Sequence, residues 1–188
     1  MTEPALALVT RAADFAARRH VTQRRKGVGA EPYINHLIEV ADLIAEATGG
    51  NDAALVAAAL LHDSLEDTDT TYEELEALFG ADIASLVAEV TDDKSLPRAE
   101  RKRRQVETAA GKTERARMLK ISDKTSNVRA LAHSPPAGWD VARAAEYVEW
   151  AERVVAGCRG LNDKLERAFD AAVVDARTAI AMRAGGPR

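Results

Sequence analysis

Nine consecutive residues, Ala53 to Leu61, read Ala-Ala-Leu-Val-Ala-Ala-Ala-Leu-Leu. A helix that is apolar on every face belongs at the centre of a helical domain. This run stops abruptly at His62-Asp63. An imidazole and a carboxylate at the end of a buried helix need partners, because a polar group buried without one is costly. An isolated His-Asp dipeptide is more often a hydrogen-bonded helix end than a functional site. The rest of the chain therefore decides between the two.

The remaining sequence also reads as helices. Thr2 is positioned to cap a first helix that has Pro4 in its opening turn and runs to about Arg19. Residues 21–32 carry Gly27, Gly29 and Pro32 and read as a loop. From Tyr33 the residues Ile34, Leu37, Ile38, Ala41 and Ile44 follow helical spacing up to Gly49-Gly50. Asn51 is the expected cap of the apolar helix. Thr71 with Glu74 forms a capping-box pattern, and Gly80 ends that short helix. A further helix covers about 81–90. Residues 94–111 are highly charged and expected to be half exposed. Thr113 caps a helix carrying Met118, Ile121, Val128 and Leu131, which Ser134-Pro135-Pro136 ends. Two last helices span roughly 140–156 and 162–183, with a frayed tail from Ala184 to Arg188. No strand alternation, repeat or long linker is visible. The expectation is one all-α domain over residues 1–188, long enough to bury a real core.

Composition narrows the function. The formal net charge of −4 argues against a dedicated nucleic-acid binder, which needs a basic face. The run Arg101-Lys102-Arg103-Arg104 is then best read as a solvated helix face, with nucleotide contact the lesser alternative. The single cysteine, Cys158, has no internal disulfide partner and reads as a small buried residue, in keeping with a reducing compartment. No apolar run is long enough for a bilayer, and no signal-peptide core is evident. A cytoplasmic protein without membrane or nucleic-acid partners is expected; the oligomeric state is left open.

His36 sits among Ile34, Leu37, Ile38 and Val40, and Asp123 interrupts the apolar stretch at Met118–Ile121. Taken alone, His36 is a satisfied core histidine, and Asp123 is a helix acid paired with Lys120 or Lys124. Taken with His62 and Asp63, they form two imidazoles and two carboxylates, a donor set for a divalent transition metal. That mixture suits Mn²⁺, Fe²⁺, Co²⁺ or Zn²⁺ better than Ca²⁺, which prefers oxygen alone. A structural zinc site is disfavoured because cysteine ligands are missing. Glu66 and Asp67 follow His62 and Asp63 by four residues, so a continuing helix would bring both acids above the metal ligands to handle the proton of a water. They equally fit an acidic loop before Thr71.

Arg24-Arg25-Lys26, followed by Gly27, lies shortly before His36. It suits a polyphosphate or a base, although such a triplet by itself is usually just solvated. Asn127 is one turn beyond Asp123. Tyr147 and Trp150 read as core and rim packing. His20 and His133 have no evident partners.

These residues together carry a resemblance. Arg24-Arg25-Lys26-Gly27, Pro32-Tyr33-Ile34-Asn35-His36, residues 61–68 and residues 120–127 resemble the HD-type hydrolase domain of RelA/SpoT proteins. Thr91-Asp92-Asp93-Lys94 and Glu146-Tyr147-Val148-Glu149-Trp150 are similar to the single-domain metazoan SpoT homologues, the small alarmone hydrolases. The resemblance implies an HD-type helical bundle with a central metal site. It further implies a Mn²⁺-dependent enzyme that removes the 3′-pyrophosphate of guanosine tetra- or pentaphosphate. On this basis His36, His62, Asp63 and Asp123 hold the metal, and Glu66 and Asp67 act on the water. Arg24, Arg25, Lys26 and Asn127 contact the nucleotide, with Arg143 and Tyr147 towards its phosphates. The sequence departs from the family pattern at Leu37, where proline is usual after the motif histidine, and at Thr125 and Ser126. The alternatives are another HD nucleotide phosphohydrolase and a non-catalytic alarmone-binding domain. With 188 residues the chain has no room for the synthetase and regulatory domains of long family members, so a constitutive alarmone sink is expected.

Overall fold

In the computed structural model, which describes residues 3–185, the apolar run becomes helix α3 (Ala53–Leu61), and Leu55 to Leu61 are all buried. Burial on every side is what an apolar helix requires, and it is met by packing against α1 (Ala5–Arg19), α2 (Ile34–Thr48), α6 (Ala81–Val90) and α8 (Glu114–His133). Helix α8 is the second axis, packing also against α9 (Val141–Ala156) and α10 (Asp163–Ala184). The buried apolar side chains join in one core, with Phe169, Leu37, Ile44, Leu61 and Leu119 among its largest fully enclosed members. Burying a side chain of this size is worth about 1.5–3 kcal/mol. Leu37, the departure after the motif histidine, is fully enclosed and serves the core.

Short helices α4 (Ser64–Asp67) and α5 (Tyr72–Phe79) follow α3, and α7 (Arg98–Thr108) precedes α8. No strand occurs among the described residues, only isolated bridges between Arg24 and Pro32 and between Gly27 and Pro136.

Capping residues set the helix starts. The side chains of Thr71, Thr113, Asp140 and Asn162 accept hydrogen bonds from backbone N–H groups in the first turns of α5, α8, α9 and α10. The expected cap of α3 is displaced by one residue. Asp52 takes that role, accepting from Leu55 N–H, while the Asn51 amide donates back to Thr48 O. The capping box at α5 is only half made, since the Glu74 carboxylate is engaged by Arg19. Thr2, expected to cap α1, lies outside the described residues.

The loop at 20–33 is fastened across the top of α8. Ala137 N–H donates to Lys26 O at 2.9 Å, beside the Gly27–Pro136 bridge. Gly27 is required by proximity. A Cβ there would stand 2.5 Å from the backbone oxygen of Ser134.

Candidate metal centre and substrate cleft

Three parts of the fold meet at one point. The first turn of α2 carries His36, the end of α3 carries His62, and the α3–α4 junction carries Asp63; the middle of α8 supplies Asp123. His36, His62 and Asp123 offer donor atoms that all lie within 4.8 Å of one another. Asp63 Oδ2 stands 3.1 Å from His62 Nε2 and 3.7 Å from His36 Nε2. Asp123 Oδ1 is 3.4 Å from His36 Nε2 and 3.8 Å from His62 Nε2. Each imidazole is almost wholly buried.

The hydrogen bonds behind these groups aim them. His62 Nδ1 lies 2.7 Å from Ala59 O, an atom that only accepts, so Nδ1 carries a proton and Nε2 is the nitrogen left to face the cluster. His36 Nδ1 is likewise engaged, 2.8 Å from Ser126 Oγ. Both Nε2 atoms are buried and have no hydrogen-bond partner. Tyr33 O–H donates to Asp63 Oδ2 at 2.7 Å. Burial and the Asp63 carboxylate push the Tyr33 phenol far above its ordinary range, so it remains a donor. Asp123 divides its oxygens. Oδ2 pairs with Lys124 Nζ at 2.8 Å, and Oδ1 accepts from Asn127 Nδ2 at 2.5 Å while facing the imidazoles.

Electrostatics ask for a cation here. Burial keeps His36 below the usual imidazole range. Burial acts the same way on His62, yet Asp63 and Asp123 outweigh it and raise its pKa to about 10. Burial alone would raise the two aspartates as well, but His62 holds Asp63 low, and Lys124 with the two histidines holds Asp123 low. The carboxylates thus stay ionised and draw positive charge between them. A proton on His62 satisfies one side of the cluster; a divalent ion would satisfy both orphaned Nε2 atoms and both carboxylates together. The residues present fit such an ion.

The expected continuing helix is interrupted at His62-Asp63, where α3 ends, and resumes as α4, in which Asp67 N–H bonds Asp63 O at 2.8 Å. Glu66 and Asp67 therefore stand beside the cluster, at the wall of a cleft of about 380 Å³. Glu66 accepts from Arg101 Nη1 at 3.3 Å. Burial, with Asp63, Asp92 and Asp67 nearby, raises its pKa above the usual carboxylate range. Asp67 is held from two sides, by Gln23 Nε2 at 2.9 Å and Lys94 Nζ at 2.5 Å.

The cleft lining is also cationic, with Lys26, Arg98, Arg101, Lys102, Lys120 and Lys124. A second cavity of about 230 Å³ adjoins it through shared residues Lys26, Tyr33, Asp67, Arg98, Asn127 and Tyr147. Arg24 and Arg25 line that second cavity with Leu131, Pro136 and Trp139, a mixed apolar and basic surface. Arg25 Nη1 donates to Asn127 Oδ1 at 3.1 Å, so Asn127 bridges the basic loop to Asp123. Arg24 is turned to its own loop, donating to Val21 O and Gln23 O. Tyr147 lines both cavities. Arg143 lines neither and stacks on Trp139, its guanidinium carbon 4.8 Å from the ring centroid.

Two sequence expectations need correction, and a third needs extending. Arg101 and Lys102 do not belong to a solvated face: both line the cleft, and only Arg103 and Arg104 remain outside, paired with Glu100 and Glu107. Residues 98, 101, 102 and 105 share one face of α7 at helical spacing and all line the cleft, but that face carries no apolar residue to set it apart in the sequence. Trp150 is buried as expected but also lines the cleft, with Lys102 and Lys124 over its ring. His20 is not isolated. Its ring stacks on Tyr33 and its Nδ1 meets Gln23, the residue that bonds Asp67.

The chain resembles known proteins along most of its length. A family model of the HD domain matches residues 12–152. The guanosine-3′,5′-bis(diphosphate) 3′-pyrophosphohydrolase MESH1 of Xenopus tropicalis is 47% identical over 174 residues, 93% of this chain and 97% of that protein. The Homo sapiens protein of the same name is 51% identical over 158 residues, 84% of this chain and 88% of the other. Among solved structures, a metazoan orthologue of SpoT, described as hydrolysing ppGpp and acting in starvation responses, superposes with a TM-score of 0.86 at 43% identity. That match covers 92% of this chain and 96% of the other.

Proposed function

The chain belongs to the HD-domain family, and from that membership we propose that it is a guanosine-3′,5′-bis(diphosphate) 3′-pyrophosphohydrolase. It takes guanosine tetra- or pentaphosphate and returns GDP or GTP with pyrophosphate. The observation that carries this reading is the meeting of a His/Asp donor cluster, a half-buried Glu66 carboxylate and several cationic side chains in the lining of one cleft. Acidic groups alone would suit a metal store, and cationic groups alone an anion site. The two together suit cleavage of a phosphate ester.

His36, His62, Asp63 and Asp123 would hold the divalent ion. A set of two imidazole nitrogens and two carboxylate oxygens suits Mn²⁺. Such an ion, when bound, supplies Lewis-acid polarisation of a phosphoryl oxygen and lowers the pKa of a water. The chain's own groups do the rest. Lys124 keeps Asp123 ionised, Asn127 holds it turned to the cluster, and the Tyr33 hydroxyl holds Asp63 in place. Glu66 takes a proton from the attacking water, a task for which an elevated pKa is suited. Asp67, clamped by Gln23 and Lys94, orients that water. Attack at the phosphorus next to O3′ breaks the P–O3′ bond, and the proton returns to O3′ as pyrophosphate departs. Lys26, Arg98, Arg101 and Lys102 neutralise phosphate charge across the cleft. Arg25 and Arg24 line the adjoining cavity, where a base fits beside Leu131 and Trp139. Tyr147 spans both subsites, and Arg143 supports Trp139.

No helix among the described residues is long and apolar enough to cross a membrane. A cytoplasmic setting fits the lone buried cysteine.

The test is turnover of guanosine tetraphosphate by purified protein with and without Mn²⁺, with products separated. Pyrophosphate and GDP are expected, dependent on the ion. Orthophosphate as the product would assign the chain to another kind of HD nucleotidase. Tight binding without turnover would make it a non-catalytic alarmone-binding domain.

A further inference from the structure

His36 is supported from behind by groups that do not reach the cleft. Ser126 Oγ stands 2.8 Å from its Nδ1 and 2.6 Å from Glu39 Oε2. A carboxylate only accepts, so the Ser126 hydroxyl proton goes to Glu39. Ser126 Oγ is then left to accept, and His36 Nδ1–H donates to it. Arg129 Nη1 completes the chain 3.0 Å from Glu39 Oε1. Ser126 is 1% exposed, whereas the Glu39 and Arg129 side chains are 35% and 38% exposed, so the chain runs from solvent to the imidazole.

The comparison with His62 gives this arrangement its meaning. There a backbone carbonyl fixes the tautomer unconditionally. A serine hydroxyl sets no tautomer alone, since it donates as readily as it accepts. If it donated to His36 Nδ1, the ring proton would move to Nε2 and the ring could not ligate. Glu39 removes that option. The spacing is matched on both helices: Glu39 is three residues after His36 on α2, and Ser126 three after Asp123 on α8. We propose that Ser126 and Glu39 are positioning residues for His36, holding it in the Nδ1–H tautomer that presents the Nε2 lone pair to the metal cluster. This rests on the reading that His36 is a metal ligand.

The experiment measures Mn²⁺ affinity of chelator-stripped full-length protein by titration, and the His36 tautomer from its ring-nitrogen chemical shifts. Ser126→Ala is expected to weaken Mn²⁺ binding by about 10–100-fold, the range for losing an outer partner of a ligand histidine. Glu39→Ala should weaken it by roughly tenfold and populate the Nε2–H tautomer of His36. Ser126→Thr, which keeps the hydroxyl, should recover most of the loss. Affinities within twofold of the parent for both alanine variants, with His36 unchanged in tautomer, would overturn the proposal. Should Ser126→Ala not fold, Glu39→Ala at its half-exposed position decides the matter. His36→Ala separates the two layers. If it binds Mn²⁺ like the parent, the ligand reading itself fails. If it loses the ion while the Ser126 and Glu39 variants keep it, only the positioning role fails.

Discussion

Asp123 shows how much depends on one side chain. One oxygen serves the cluster and the other neutralises Lys124, a buried ammonium. Asp123→Ala should therefore abolish metal content and turnover, and should also cost about 3–5 kcal/mol of stability through the stranded lysine. Double replacement with Lys124→Met should restore the melting temperature but not the metal; metal analysis and thermal melts check both. Glu66 makes the opposite prediction. Its pKa is raised, so the folded protein holds that proton more tightly than the unfolded chain. The resulting cost to stability is absent below the ordinary carboxylate pKa and complete once pH passes the raised value. In chelator, Glu66→Gln should melt higher than the parent at pH 8 and equally at pH 4. Its turnover should fall by about 10²–10⁴ with metal content intact. A Glu66→Gln enzyme as fast as the parent would remove Glu66 from the mechanism. At this scale the sequence was readable wherever a polar residue broke an apolar pattern, as at His36, His62 and Asp123. Lys124 was readable as a partner of Asp123, and that pair forms; Tyr33 and Gln23 were not, because only tertiary geometry says which oxygen a donor meets.

Helices were legible through apolar period and caps, with shifts as small as Asn51 to Asp52. What periodicity could not assign was the face of α7. It has no buried residue, so nothing apolar marks the side that turns to the cleft. Arg101 and Lys102 were lost among charges for that reason. Arg101→Ala should free Glu66 as well as remove a phosphate contact, raising KM and lowering kcat together, as steady-state kinetics will show. The loop at 20–33 is the other element whose placement carries function. Its clamp needs Gly27 against Ser134. Gly27→Val should push Arg25 and Lys26 away from the cleft and raise KM about tenfold or more, the scale of a lost charged contact. Mn²⁺ affinity should stay within twofold, because the ligands sit on α2, α3–α4 and α8. A parallel loss of metal would show that the loop supports the centre as well.

Across the whole molecule, the centre joins α2, α3, α4 and α8, so an ion there ties the core helices together. An ion that binds only the folded state stabilises it by mass action, by about 2.7 kcal/mol at a hundredfold excess over Kd. Mn²⁺ should raise the melting temperature of the parent and leave that of Asp123→Ala unchanged. The most direct measurement is anomalous diffraction at the manganese edge from crystals grown with Mn²⁺. One peak bounded by His36 Nε2, His62 Nε2, Asp63 and Asp123 is the predicted result. A peak held by Glu66, Asp67 and Asp92 alone, with both imidazoles turned away, would contradict it.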